Sequence, residues 1–195
     1  RDAIGARRVR LGLDDEFHIK IVQINYIKEK TEQMIDKSSV LRMKTKEVSQ
    51  KEFGTKELKN ILDEMKLAMD KEEDGVAIAA PQIGISKKIF LVKDRAYSLN
   101  AKWKPAIFIN PTITKVSKKI IQADEGCLSV RPLYGTTLRH SSVTVEAKDF
   151  AGNKFSFGAT GLIAQIFQHE CDHLDGILFI DHAENIQEII INNTK

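Results

Sequence analysis

The stretch QHECDHLDG, residues 168–176, constrains the fold of this chain more than any other. If it is helical, His169 and His173 lie one turn apart and about 40° from each other around the axis. Glu170 then flanks their face, whereas Cys171 lies about 200° from His169 and points away. Two imidazoles placed in this way can bind one metal ion, and the neighbouring carboxylate can reach a water on that ion. The stretch therefore indicates either a metal site with its own acid/base group or a polar turn of a core helix.

A catalytic metal site of this kind needs a third protein ligand and an open position. His140 and His182 are candidate imidazoles, but neither has a constrained neighbourhood. Cys127 lies beside a glycine in EGCLS, residues 125–129. A thiolate is a strong ligand for iron or zinc, and adjacent backbone N–H groups can stabilise an oxyanion. From the residues alone, Cys127 is either the third ligand or an ordinary structural thiol.

A third segment, GVAIAAPQ at residues 75–82, is rich in small residues. Small residues let the backbone approach a ligand closely, and Gln82 adds a side-chain amide donor. On its own this segment carries little weight, because loops of small residues are common.

The composition is that of one globular domain of 195 residues. The formal net charge of +3 is mildly basic, but Lys and Arg are spread along the chain, so we expect no specific nucleic-acid partner. No apolar run approaches the roughly 18 residues that a membrane span needs, so we expect no membrane partner. Only two cysteines occur, which favours a reducing compartment over a disulfide framework.

Periodicity predicts two helices with short strands between them. Residues 55–69 carry apolar side chains at helical spacing, and a second helix over residues 160–174 ends at Asp175-Gly176. Strands are predicted at residues 89–92, 107–109, 112–116, 143–145, 155–157 and 177–180. Strands clustered between two helices, without βαβ alternation, predict an α+β fold. Residues 1–36 lack such signals, and we expect a peripheral, poorly ordered N-terminal extension there.

Together, the three segments resemble the motifs of the peptide deformylase family. GxAxAAxQ near residue 75, EGCLS at 125 and QHExDH at 168 occur in the family's order and at similar separations. The resemblance covers roughly residues 38–182 and includes SVLR at 39–42. It implies a single compact catalytic domain over residues 37–195, in which antiparallel β-sheets pack around a central HExxH metal-binding helix.

The resemblance also implies a role for each motif residue. One divalent metal ion would be held by Cys127, His169 and His173. Fe²⁺ would be the native ion, and Zn²⁺ or Ni²⁺ could occupy the same site. Glu170 would be the catalytic acid/base, while the Gln82 side chain and the Leu128 backbone N–H would hold the formyl oxygen.

The implied substrate is the N-formyl-methionyl end of a nascent polypeptide, with transient ribosome association. Its methionine side chain would enter a pocket formed by Val76, Leu162 and Ile166, with Glu125 and His169 at the edge. The other implied substrate-binding residues are Gly75, Ala77 and Gly126. Leu162 and Ile166 also continue the histidine face of the helix, so ordinary core packing is an alternative role for them, and both roles are compatible.

Three positions depart from the family pattern. Ala77 replaces a second glycine, Arg131 replaces a proline, and Gln165 replaces an apolar residue. Arg139 matches an arginine of the family; it either pairs with an acidic residue such as Asp172 or is an ordinary surface arginine. None of these departures removes an implied ligand or the implied base.

Two other functions are compatible with the sequence. A metallopeptidase would use the same helix, but its third ligand would be a His or Glu downstream of that helix. A non-enzymatic homologue that binds ribosomes or nascent chains would not need Glu170 together with all three ligands. Cys127 and Glu170 therefore favour the deformylase function. We expect a bacterial cytoplasm, with a plastid or mitochondrion as the alternative.

Overall fold

The computed structural model describes residues 21–23, 40–99 and 101–188. Within these ranges the α-helices are α1 (Lys56–Asp70) and α2 (Gly161–Leu174). The strands are β1 (Ala77–Ala79), β2 (Ile89–Val92), β3 (Ile107–Val116), β4 (Ile120–Gly126), β5 (Leu133–His140), β6 (Ser142–Lys148), β7 (Lys154–Thr160) and β8 (Glu184–Glu188). Short 3₁₀ helices span Val40–Arg42, Ala80–Ile83, Asp94–Ala96 and Phe179–Asp181. Apart from residues 21–23, the predicted extension over residues 1–36 lies outside the described residues.

The strands form two antiparallel sheets. One sheet has five strands in the order β1-β2-β3-β6-β7, and the other has three in the order β4-β5-β8. Every pair of neighbours in both sheets runs antiparallel. The predicted α+β class, a mixed helix-and-sheet domain with antiparallel sheets, is confirmed.

The larger sheet packs a helix on each face. Because successive strand residues point to opposite faces, β2 contributes Phe90 to the core beside α2 and Ile89 and Leu91 to the core beside α1. Helix α1 begins as predicted, with the Thr55 side chain accepting a hydrogen bond from the Leu58 N–H at 3.2 Å. No helix in the described ranges is long and apolar enough to cross a bilayer.

Aromatic packing holds α2 against the larger sheet. The Phe167 ring lies 5.7 Å from that of Phe90 and 4.8 Å from that of Phe108, measured between centroids. All three side chains are fully buried, and burial of each contributes roughly 1.5–3 kcal/mol. The helix also contacts β5 of the smaller sheet. Residues of α2 are therefore held between elements of both sheets.

The C-terminal end of α2 is closed by the segment that follows the first 3₁₀ helix. The Thr45 N–H donates to the Leu174 carbonyl at 2.9 Å. Gly176 adopts φ +78°, and a Cβ there would lie 2.8 Å from the Arg42 backbone. Only glycine therefore lets the chain turn this closely after the helix.

Several strands differ from the sequence prediction. The two runs predicted at residues 107–109 and 112–116 are one strand, bent at Asn110, which adopts φ +52°. The prediction of a strand at residues 177–180 is wrong. Phe179–Asp181 instead forms a 3₁₀ turn, which is closed by a 2.8 Å hydrogen bond from the Leu178 N–H to the Asp181 side chain. β4, β5 and β8 were not predicted, since their polar residues obscure the apolar alternation.

Candidate metal centre

The three sequence motifs line one cleft of about 260 Å³. The first motif forms β1 and the 3₁₀ turn after it, the second follows the end of β4, and the third lies in α2. Predicted residues that line the cleft are Gly75, Val76, Ala77, Gln82, Glu125, Gly126, Cys127, Leu128, Leu162, Ile166, His169 and Glu170. His173 lies deeper and is 1% exposed.

Cys127, His169 and His173 come together at the base of this cleft. Their candidate ligand atoms all lie within 4.8 Å of one another. The Cys127 Sγ lies 3.2 Å from the His173 Nε2, and the two imidazole rings are 4.9 Å apart between centroids. One sulfur and two imidazole nitrogens form a donor set suited to iron, zinc or nickel. The three residues therefore fit one divalent ion.

The alternative ligands lie elsewhere. His140 Nδ1 is hydrogen-bonded to the Ser117 carbonyl at 2.7 Å, and His182 Nε2 lies 3.9 Å from Asp172. Cys171 packs against the core cluster of the larger sheet, as its angle on the helix predicts. Burial raises the pKa of the Cys171 thiol to about 12. None of these side chains belongs to the group of three.

A buried charge network orients His169. Arg139 donates from Nε and Nη2 to the two Glu125 oxygens at 2.6 and 2.9 Å, and from Nη1 to Asp172 at 2.6 Å. Glu125 Oε2 also lies 3.0 Å from His169 Nδ1. A carboxylate on one ring nitrogen leaves the other nitrogen free for a metal, which is the usual arrangement around metal-bound histidines. Asp172 is thus a partner of Arg139, as the sequence suggested, whereas the Glu125–Arg139 pair was missed.

The pKa values of the two histidines are shifted in opposite directions. Burial and the charge of His169 lower the pKa of His173 well below its ordinary value, which keeps that imidazole neutral. Burial also lowers the pKa of His169, but hydrogen bonds to Cys127 and Glu125 outweigh it and raise the net pKa well above the ordinary value. A bound cation would compete with this proton on His169.

Glu170 differs from the other carboxylates of the cleft. It is 4% exposed, and its Oε2 has no hydrogen-bond partner among the described residues. Burial, followed by the charges of Glu125 and Asp172, raises its pKa to about 7 against the opposing effect of His169. A buried carboxylate with a free oxygen and a pKa near neutrality suits proton transfer.

Gln82 presents its amide N–H groups to the same space. Its Oε1 accepts a hydrogen bond from the Ala79 N–H at 2.8 Å, which determines the orientation of the amide. Its Nε2 then faces the Ser129 Oγ at 3.3 Å and the Cys127 Sγ at 3.7 Å. The segment that the sequence suggested as a loop of small residues is therefore a buried strand and turn that orients one donor.

The apolar side of the cleft is only partly as expected. Ile166 is 6% exposed, but Leu162 is 53% exposed. Core packing, the alternative role of Leu162, is therefore not observed, because the first turn of α2 opens onto the cleft rather than onto a neighbouring strand. Gln165 lies at the same edge and donates to the Asp124 carbonyl at 2.8 Å.

The rim contains two residues to which the sequence assigns no role in the cleft. Arg131 pairs with Glu72 at 2.6 Å and also with Asp74, so it links the two walls of the cleft. The Tyr134 ring lies over Gly126, where a Cβ would come within 2.5 Å of it. In the sequence Arg131 stands out only as a departure from the family pattern, and nothing singles out Tyr134.

Known proteins resemble this chain over most of the described residues. The family described as polypeptide deformylase matches residues 29–188. Peptide deformylase 2 of the Nostoc strain PCC 7120 is 37% identical over 150 residues, which cover 71% of this chain and 83% of that protein. Peptide deformylase 1B, chloroplastic/mitochondrial, of Arabidopsis thaliana is 37% identical over 142 residues, or 73% of this chain. The chain spans about half, 50%, of the length of this plant relative.

Two solved structures share the fold. The Met-Ala-Ser-bound class I type b peptide deformylase of Acinetobacter baumannii has a TM-score of 0.70 at 29% identity, with 84% of this chain and 97% of that chain covered. The Plasmodium falciparum peptide deformylase in complex with an inhibitor has a TM-score of 0.67 at 32% identity, with 85% and 90% covered. On the family match and these relatives, the chain belongs to the polypeptide deformylase family.

Proposed function

We propose that this chain removes the formyl group from N-formyl-methionyl peptides and releases formate. The observation that carries the proposal is the grouping of Cys127, His169 and His173 within 4.8 Å, beside the buried Glu170, whose Oε2 has no hydrogen-bond partner among the described residues. These three residues would hold one divalent ion, and we propose Fe²⁺ as the native ion, with Zn²⁺ or Ni²⁺ able to replace it.

The side chains of the cleft would divide the reaction between them. When bound, the ion supplies Lewis acidity and lowers the pKa of a water molecule. Glu170 accepts the proton of the attacking water through its free oxygen. The Gln82 amide and the Leu128 N–H donate to the formyl oxygen as negative charge develops on it. Glu170 then returns its proton to the leaving amine, which becomes the new N-terminus.

The walls of the cleft would select the substrate. Val76 and Ile166 provide apolar surface beside the donor set, and Leu162 covers its mouth. A methionine side chain suits such a surface because it is unbranched and apolar. Gly75, Ala77 and Gly126 would line the path of the peptide backbone. The bound Met-Ala-Ser of the Acinetobacter baumannii enzyme supports a peptide of this kind as the ligand.

The wider setting follows from this substrate. Formyl-methionyl peptides are nascent chains, so we propose a transient association with ribosomes. Named relatives include a Nostoc protein and a chloroplastic/mitochondrial one of Arabidopsis thaliana. We propose a bacterial cytoplasm as the compartment, with a plastid or mitochondrion as the alternative. We also propose that residues 37–195 form the catalytic domain and residues 1–36 an N-terminal extension.

An anaerobic assay with formyl-Met-Ala-Ser tests the activity. We expect formate release in proportion to bound metal, with both quantities measured on the same sample. A protein that binds one equivalent of ion but releases no formate would contradict the proposal.

The two cysteines provide a matched pair of variants for the metal site. We expect Cys127→Ser to weaken metal binding strongly, because the hydroxyl is a poorer ligand for soft ions than a thiolate. Cys171→Ser should leave the metal content intact, since its side chain packs in the core. Loss of metal in Cys171→Ser would show that the ligand set is wrong.

A further inference from the structure

Two consecutive residues, Val22 and Gln23, form hydrogen bonds with residues on both sides of the cleft. The Val22 N–H donates to the Gln82 carbonyl at 2.7 Å. The Gln23 Nε2 donates to the Leu128 carbonyl at 2.8 Å. Ile21, just before them, packs against the core cluster beside α1. The short segment 21–23 therefore contacts the two residues to which the proposed oxyanion donors belong.

Leu128 depends on such a contact because it lies outside the regular sheet. It follows the end of β4 and precedes β5, in a turn closed by a 3.1 Å hydrogen bond from the Val130 N–H to the Cys127 carbonyl. The Gln23 amide restrains the other carbonyl of this turn, that of Leu128. With both carbonyls bound, rotation of the peptide groups on either side of Leu128 is restricted, and so is the direction of its N–H.

Gln82 is restrained in a related way. Its side chain is oriented by the Ala79 N–H at 2.8 Å, and its backbone carbonyl by Val22. An oxyanion donor is effective only when it is already aimed at the place where charge develops. Small displacements of such donors reduce the rate without removing any group that touches the substrate.

We propose that Gln23 is a positioning residue for oxyanion stabilisation. Its amide holds the Leu128 turn at the correct distance from Gln82, so that both donors meet the same oxygen in the transition state. This inference rests on the proposed deformylase function. It also gives part of the predicted N-terminal extension a role in the active site.

Substitutions at Gln23 in the full chain separate this role from general support of the fold. Gln23→Glu keeps the shape of the side chain but replaces its amide donor with a carboxylate acceptor. Gln23→Leu removes both the donor and the acceptor. We expect both variants to lose about threefold to tenfold in kcat, the worth of one hydrogen bond. Gln23→Lys restores a donor and should recover part of that loss. KM for formyl-Met-Ala-Ser and the metal content should not change.

Inhibition by the product Met-Ala-Ser provides the decisive readout. The product lacks the formyl oxygen, so its affinity does not depend on the oxyanion donors and should be unchanged in the Gln23 variants. Arg131→Gln is the comparison, because Arg131 also links the two cleft walls but is bonded to Glu72 and Asp74 at the rim. We expect that variant to raise KM and to weaken product binding.

Two results would overturn the inference. One is an unchanged kcat in Gln23→Glu and Gln23→Leu. The other is a parallel loss of kcat and product affinity, which would indicate that Gln23 only holds the cleft walls together. Absence of formate release from the wild-type protein would overturn the proposed function, and this inference with it.

Discussion

Glu125 and Glu170 lie on two sides of the same cleft and are equally buried, each 4% exposed. Burial raises the pKa of both side chains, yet the pKa of Glu125 is lowered to about 2 and that of Glu170 is raised to about 7. Arg139 binds both oxygens of Glu125, and His169 binds one of them. Glu170 has an oxygen with no partner among the described residues. Hydrogen-bond partners, and not depth, therefore decide which carboxylate stays charged.

The difference in pKa suits the two carboxylates to different roles. A carboxylate held permanently ionised can orient His169, but it cannot exchange protons near neutrality. A carboxylate with a pKa near 7 can take up and release a proton at physiological pH. The pKa values of the two carboxylates differ mainly because Arg139 and His169 hydrogen-bond to Glu125.

Removing the carboxylate of Glu170 should have the largest effect. We expect Glu170→Gln to lose about 10²–10⁴-fold in kcat, the usual contribution of a general acid/base. Metal content should be retained, because Glu170 is outside the donor set. Formate release and metal analysis on one preparation measure both quantities. Turnover equal to the wild type would remove Glu170 from the mechanism.

Removing Arg139 should take away the guanidinium that keeps the buried Glu125 carboxylate ionised. Arg139→Met leaves that carboxylate buried without its guanidinium, which should cost about 3–5 kcal/mol in the free energy of unfolding. The double variant Arg139→Met with Glu125→Leu should recover much of this loss, because the most deeply buried unpaired charge is then removed and Asp172, the other partner of Arg139, is partly exposed to solvent. Urea unfolding measures all three proteins.

Arg131→Met is the control, because it removes ion pairs that lie at the exposed rim of the cleft instead of in the buried network. Its partners are more exposed, so the change should cost no more than about 1 kcal/mol. Equal destabilisation by the two arginine substitutions would contradict the importance of the buried network.

A smaller effect is expected when Glu125 loses only its charge. Glu125→Gln should lower metal affinity by about 10–100-fold, since it weakens the hydrogen bond that orients His169. Competition with a chelator of known affinity measures the change. Asp124→Asn, at the neighbouring exposed carboxylate, should leave metal affinity unchanged. A similar loss in both variants would indicate a general electrostatic effect instead.

The pH dependence of stability should show the smallest and most specific difference. Glu125 has a folded pKa of about 2 against an ordinary 4.5. The unfolded chain therefore binds more protons between these values, and the free energy of unfolding rises with pH there. Glu170 has a folded pKa of about 7 against 4.5, so the folded chain binds the extra proton and stability falls as pH rises through that interval.

Each slope is at most about 1.4 kcal/mol per pH unit. Unfolding in the presence of a chelator measures it without competition from metal. Glu170→Gln should remove the fall between pH 4.5 and 7, and Glu125→Gln the rise below pH 4.5. If neither slope changes, the contrast between the two carboxylates does not contribute to stability.

The fold was predictable where the signal was local. Helix α1 follows from apolar residues at helical spacing, and β2 from a continuous apolar run. β4 and β5 were not predicted from the sequence, because the buried Glu125 and Arg139 occupy inward positions where an apolar residue is expected. Their mutual neutralisation depends on the pairing of two strands, which no single strand shows.

The sequence by itself determined that His169 and His173 share a helix face and that Cys171 points away, because the helix repeat is a local property of the backbone. Only the tertiary structure decided that Cys127 reaches those histidines, that Arg139 neutralises Glu125, and that Gln23 binds the Leu128 carbonyl. These contacts join residues far apart in the chain. Strand register and core packing set their distances, and neither is encoded in any one segment.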